Sequence, residues 1–398
     1  MIAFIRAKLL CALGTTIFLI VVCSLVYAQD DRSINPAWSI NLTTNTNAVS
    51  LGQSIERTSD RSFLVVGCKE CGQVDQDGVV CRITSQGKMV WDTSIEDAWI
   101  KSCIEAQNGE IVVAGTKGSR LSGKGYHGVC AKLRDDGTLV WERAIEGNEN
   151  SKISAVVQGS HGDYVLAGNS VKEQPDDKSD CLVACIDVNG EIRWINQYEI
   201  QGSQDVRQLL RCGDSSFVVV GSSSKVHSSF ALKIDKNGTR VWYREFGSRN
   251  THTTLGASVN NQSNIEVLSF GKSEVDHSST LELHTLNDVG ETVDSLYIEL
   301  TEEDIELLGA VVTETHDWIA IGSVNARSSD SAILMVKLAF GSKKIMWRSI
   351  ETNMPSDGFS AAVDIGGDYI VCGDIGNSRG GSEIIVMKVN VDFGELKQ

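Results

Sequence analysis

The chain has 398 residues, with 36 Lys and Arg against 52 Asp and Glu, a formal net charge of −16 and 41% hydrophobic residues. So acidic a surface repels phosphate backbones, which argues against generic nucleic-acid binding. The same acids keep an exported protein soluble, so the charge speaks to compartment and names no partner.

The first stretch, MIAFIRAKLLCALGTTIFLIVVCSLVYAQDD, carries Arg6 and Lys8, no acid before Asp30, and an apolar run from about Leu9 to Tyr27. Val26-Tyr27-Ala28 fits a small-residue cleavage pattern, so residues 1–28 read as an export signal cut after Ala28. Cutting there shifts the net charge from −16 to −18, because Arg6 and Lys8 leave with the leader. The run is nearly long enough to span a bilayer, and an uncleaved anchor is the alternative. A lipid anchor at Cys23 fits less well, because Val22 stands where a small residue is wanted. The expected location is secreted, periplasmic or cell-surface, with membrane contact only if the segment is uncleaved.

From residue 29 onward the sequence repeats itself. A glycine closes a short apolar run at Gly67, Gly115, Gly168, Gly221, Gly271, Gly322 and Gly373, in steps of 48, 53, 53, 50, 51 and 51 residues. A second column holds Trp91, Trp141, Trp194, Trp242 and Trp347, and the fifth unit lacks its tryptophan near Val293. Trp38 lies 29 residues before Gly67, within the spacing of the others, so AWSINL reads as the last strand of a unit completed at the C-terminus.

Within one unit, DVRQLLR, the turn CGDSS, FVVVG, a variable loop, FALKID, the turn KNG and TRVWYREF follow in order. These are strand and turn signals, and the Asn-Gly pair at 237–238 suits the positive backbone angles of a hairpin turn. No stretch sustains helical periodicity over three turns. Four strands in about fifty residues describe one propeller blade. The prediction is an all-β fold: one domain over 29–398, a seven-bladed β-propeller of four-stranded antiparallel blades, its ring closed by the N-terminal outer strand. GELKQ at 394–398 begins a competing strand without a tryptophan, so residues 34–38 are expected to win the pairing.

The phrases LRDDGTLVW, IDVNGEIRW and IDKNGTRVW resemble those of exported bacterial and archaeal seven-bladed propeller repeat proteins. They are also similar to the tryptophan-docking repeats of pyrroloquinoline-quinone-type propellers. LNDVGETVD and LAFGSKKIMW depart from the pattern, which puts the regularity of the fifth and sixth blades in question. The resemblance covers the whole mature chain and implies the fold, with the indole packed between blades. It implies a quinone only for dehydrogenase members, which have an adjacent-cysteine disulfide. This chain has no Cys-Cys dipeptide, so no cofactor is expected. DDGTLVW is close to the Asp-box turn of sialidase-like propellers, but Trp141 follows Gly137 by four residues where that motif wants three.

Other candidates for chemistry are weak. DKNG and DVNG resemble the start of a calcium loop, yet a strand begins at once and the remaining oxygens are missing. Nine cysteines remain after the leader; Cys68 and Cys71 in GCKECG could form a local disulfide, and no fourth ligand completes a metal set. Cys181 and Cys185 on one strand stand about 13 Å apart, too far to bridge. His127, His227 and His277 fall in the same inter-strand loop of three blades. No catalytic, cofactor or metal residue is singled out.

Variation concentrates in the loop between second and third strands and in the connections between blades, which project from one face of the ring. Function tends to occupy such loops. The expectation is an exported, monomeric binding or assembly scaffold holding a protein or carbohydrate partner on that face, through segments such as 116–127 and 169–180. The alternative is a propeller enzyme, glycan-acting or quinone-dependent, with its site at the mouth of the central channel.

Overall fold

The computed structural model describes residues 35–391 apart from 44–47, 72–75, 119–124, 147–149, 172–177, 201, 225–227, 248–250, 274–277, 301–304, 325–330, 340–343, 352–355, 364–365 and 378–379. The leader, GELKQ and most of the variable loops lie outside those residues. The described residues form 28 strands, numbered β1–β28 in chain order, in seven four-stranded antiparallel sheets. No described helix is long and apolar enough to cross a membrane.

Each sheet runs from an innermost strand at the axis to an outermost one at the rim. The seven inner strands are β2 (Leu51–Arg57), β6 (Ala98–Glu105), β10 (Asn150–Gln158), β14 (Gln204–Arg211), β18 (Thr251–Val259), β22 (Ile305–Val312) and β26 (Ser356–Val363). They touch one another in sequence around the axis, β26 meeting β2, which closes a seven-bladed β-propeller. Second strands are covered on both faces by neighbouring blades, and β11 (Tyr164–Val171) is buried at all eight positions. That packing explains apolar runs without alternation.

The last blade takes its outer strand from the other end of the chain. Here β1 (Trp38–Asn41) pairs antiparallel with β28 (Ser382–Val389), Trp38 opposite Lys388. Trp38 then lies on the turn of the first blade, where a Cβ on Gly87 would meet its ring at 2.6 Å. The same docking links Trp91 to Gly137, Trp141 to Gly190, Trp194 to Gly238 and Trp242 to Gly290. Trp91 and Trp242 donate Nε1–H to the carbonyls of Asp135 and Asp288, both at 2.8 Å. The indole is therefore a structural bolt between blades.

Those turns correct one expectation. In IDKNGTRVW only Gly238 has a positive φ, +79°, and Asn237 does not. The turn ends in a glycine bulge, with the register shifting between Lys233 and Ile234. Asp235 accepts bonds from the Asn237 and Thr239 N–H groups at 2.9 and 2.8 Å, so its carboxylate caps the turn. The fifth blade keeps this turn without a tryptophan: Gly290 has φ +79° and Asn287 caps it through the Val289 and Glu291 N–H groups.

A second correction concerns the glycine column. A Cβ at Gly115, Gly168, Gly221 or Gly322 would meet an inner-strand carbonyl at 2.1, 1.9, 2.0 or 1.9 Å. The cause is a β-bulge in the inner strand, which thrusts a carbonyl at the second strand. In the fifth blade the bulge lies between Thr254 and Gly256, and Thr254 pairs with Ser269. Ser269, and not Gly271, therefore occupies the column position.

Candidate functional site: the central channel

The bulges also place the side chains that line the axis. Register shifts fall at Gln53, Lys101, Ser154, Arg207, Leu255 and Leu308 in the first six blades. In the seventh the shift spans Gly358 and Phe359. Counted back from the column residue, Gln53, Lys101, Ser154, Arg207, Leu255, Leu308 and Phe359 each stand 14 positions earlier. One backbone feature thus repeats seven times, yet its residues are polar or cationic in the first four blades and apolar in the last three.

Five of these residues, Gln53, Lys101, Ser154, Arg207 and Leu255, line a cavity of about 860 Å³, within the range of small-ligand sites. Its wall also includes Trp99 and Lys152 at the start of the inner strands, and Thr116, Tyr126 and Asn169 at the loop-side ends of outer neighbours. The cavity therefore opens on the face that carries the variable loops. Asn169 helps set the wall: its Nδ2 donates to the Gln204 carbonyl at 2.8 Å and its Oδ1 accepts from the Val206 N–H at 3.2 Å. Those two bonds fix β14 where Arg207 projects.

Two cations dominate the lumen. Lys101 Nζ donates to Gln53 Oε1 at 2.6 Å and sits 3.9 Å from the centre of the Trp99 ring. Arg207 reaches across the axis, donating through Nη2 to the Leu308 carbonyl at 2.5 Å and through Nε to the Leu255 carbonyl at 3.5 Å. Burial pushes the Lys101 ammonium down to about 8, and the Arg207 charge adds to the shift while Asp205 opposes it. Burial likewise lowers Arg207. The Arg207 side chain is accessible from the lumen yet ringed by protein. Toward the opposite mouth, burial followed by Glu105 raises the Glu56 carboxyl to about 7.

The buried cations held between blades are different. On the third strands, Arg82, Lys132, Lys233, Lys337 and Lys388 occupy one register position, each paired with an acid. Arg82 meets Asp60 at 3.1 Å, Lys233 meets Asp214 at 3.2 Å, Lys337 meets Asp317 at 2.9 Å and Lys388 meets Asp368 at 3.0 Å. Lys132 pairs with Glu110. Among the described residues, Lys101, Lys152 and Arg207 form no ion pair. In a chain with a surplus of acids, charges left unpaired inside a lumen are available to a ligand.

One other cluster invites a catalytic reading. Ser295 Oγ lies 3.0 Å from His284 Nδ1, whose Nε2 lies 3.2 Å from Glu282 Oε2. The Ser295 N–H is taken by Asp294 Oδ1 at 2.8 Å, and the imidazole is packed between Phe246 and Tyr297, ring centres 5.2 and 5.5 Å away. His284 and Glu282 are buried and lie away from the channel wall. The cluster is a polar core contact within the fifth blade.

The sequence candidates fare differently. His127 lies on β8 (Tyr126–Leu133), opposite Lys117, and not in a loop; His227 and His277 lie outside the described residues. Segments 116–127 and 169–180 are described only at their ends. Cys68 and Cys71 are unbridged, with Cys71 Sγ 3.1 Å from the Cys68 carbonyl, and the nine cysteines among the described residues are free thiols. No group of three His, Cys, Asp or Glu side chains suited to a metal gathers among the described residues.

Sequence reasoning missed the bulge ring entirely. The signal that finds it is the residue 14 before each column position.

Fold and channel together define a seven-bladed β-propeller with an axial cavity. No protein-family profile matches the sequence, and no curated protein matches it. Solved structures match in shape. One is a protein of unknown function from Dyadobacter fermentans DSM 18053, 8% identical, with a TM-score of 0.55 over 90% of this chain and 100% of that one. Another is the WD40 β-propeller domain of Doa1, 10% identical, with a TM-score of 0.50 over 87% of this chain and 98% of that one. At such identities the likeness shows the fold alone.

Proposed function

We propose that the protein is an exported binding propeller that holds its partner at the loop face, with part of that partner inserted into the central channel. The supporting observation is the bulge ring. Its backbone is the same in every blade, while its side chains differ in charge and polarity around a ligand-sized cavity. A purely structural ring would be served by one kind of residue, as the docks are by tryptophan in most blades. The axial site refines the expectation of a loop-face scaffold, because Thr116, Tyr126 and Asn169 on the channel wall stand at the ends of strands that lead into those loops.

The test is binding of the mature chain to arrays of glycans and peptides, repeated with Ser154→Trp and Lys101→Glu, both of which alter the lumen. Binding should be lost in both variants while the fold, followed by circular dichroism, is retained. Binding unchanged in both would contradict the reading. A glycan-acting enzyme is the second reading, favoured by the position of Glu56 on the channel wall, where its carboxyl, raised by desolvation and Glu105, could donate a proton. Turnover of a bound glycan, abolished in Glu56→Gln, would select it.

A further inference from the structure

The channel wall formed by the first four blades differs chemically from the rest of the molecule. It brings together two unpaired cations, Lys101 and Arg207, with Lys152 beside them and Asp205 as the nearest counter-charge. Gln53 and Asn169 offer amides, Ser154 and Thr116 offer hydroxyls, and Trp99 and Tyr126 offer aromatic rings. The Trp99 Nε1–H is buried without a hydrogen-bond partner, and Trp99 is part of the same wall. That N–H is closed off from the lumen, so what Trp99 offers a ligand is its ring face, beside the Lys101 ammonium. Opposite stand Leu255 and Leu308, whose carbonyls already occupy part of the Arg207 guanidinium.

We propose that this wall is a carboxylate-binding subsite for an acidic sugar of the uronic-acid class. Cations, amides, hydroxyls and aromatic surface are the set that such a sugar needs: charge for its carboxylate, hydrogen bonds for its hydroxyls and a ring for its apolar face. The inner strands also present free edges and apolar residues such as Ile153 and Leu255 to the channel, but the cations, amides and hydroxyls gathered on this wall match an acidic polyol better than a peptide. The proposal rests on the channel reading above.

The groups facing Lys101 from neighbouring elements are Gln53 on the first blade, Cys71 after the first blade's second strand, Lys152 on the third and Asp205 and Arg207 on the fourth. Because Lys101 titrates near pH 8, a carboxylate placed beside it favours the ammonium. Binding above that pH therefore takes up protons.

The experiment is calorimetric titration of the full mature chain at pH 8.5 with D-glucuronate, D-glucose and inorganic phosphate, in two buffers of different ionisation enthalpy. D-glucuronate should bind at least ten-fold more tightly than the other two, with net proton uptake. Lys101→Met should weaken it at least ten-fold, Lys101→Arg should preserve binding and abolish the uptake, and Lys236→Met on an exposed turn should change nothing. Equal affinity for glucose or phosphate, or full affinity in Lys101→Met, would overturn the subsite. Ser154→Trp separates the two readings. Loss of D-glucuronate there with no effect of Lys101→Met sinks the subsite alone, and binding that survives Ser154→Trp sinks the channel reading itself.

Discussion

Gly168→Val is expected to destabilise the ring by at least about 3 kcal/mol, because a side chain there has no space it can reach by small shifts. A Cβ at Gly168 would stand 1.9 Å from the Lys152 carbonyl and 2.7 Å from the Ile153 Cα, both backbone atoms. The bulge that thrusts this carbonyl outward also turns Ser154 into the lumen, so the strain cannot relax without moving the channel wall. Gly213→Ala is the matched control. Nothing lies within 4 Å of its Cβ position, and its φ is not positive. That change should raise stability by roughly 0.4–1 kcal/mol through the unfolded state. Denaturant titration of both variants checks the pair. A Gly168→Val protein as stable as the parent would mean that the bulge is absent.

Trp38→Ala should have the second large effect, a loss of about 2–4 kcal/mol, somewhat below a fully buried Trp→Ala change because Trp38 is half-buried. Its indole covers Gly87 and donates to the Ser85 carbonyl at 3.3 Å. The other docking tryptophans sit on strands continuous with their own blades. Trp38 sits on the four-residue β1, which joins the two ends of the chain. Its loss should therefore open the ring as well as weaken a contact. Limited proteolysis should cut the variant between residues 35 and 50 well before Trp242→Ala is cut there. Equal cutting of the two variants would show that ring closure does not depend on β1.

What could be read in advance follows from how local each cause is. The outer hairpin is a local feature: Asp235 caps it, Gly238 turns it and Trp242 bolts it, all within eight residues, so it is visible as a repeated phrase. The closure by Trp38 was legible because it breaks the phase of that phrase. The glycine column was visible, but its cause lies in another strand. For that reason the fifth unit was misaligned at Gly271, two positions from Ser269 where the bulge acts. The channel wall was the least legible. Lys101 and Arg207 lie 106 positions apart in the chain and meet only because two bulges turn inward at the same height. Neither residue stands out in composition, and no spacing links them until the ring is formed. The paired cations were equally hidden, although Arg82, Lys132 and Lys233 each precede a docking tryptophan by nine residues.

A ligand that enters the channel, rather than resting on the loops alone, is reported most directly by the indole N–H resonance of Trp99. Titrated with D-glucuronate, the full chain should show this resonance, assigned through Trp99→Phe, moving saturably, with no movement in Ser154→Trp. Saturable shifts confined to residues of 116–127 and 169–180, with Trp99 unmoved, would contradict it.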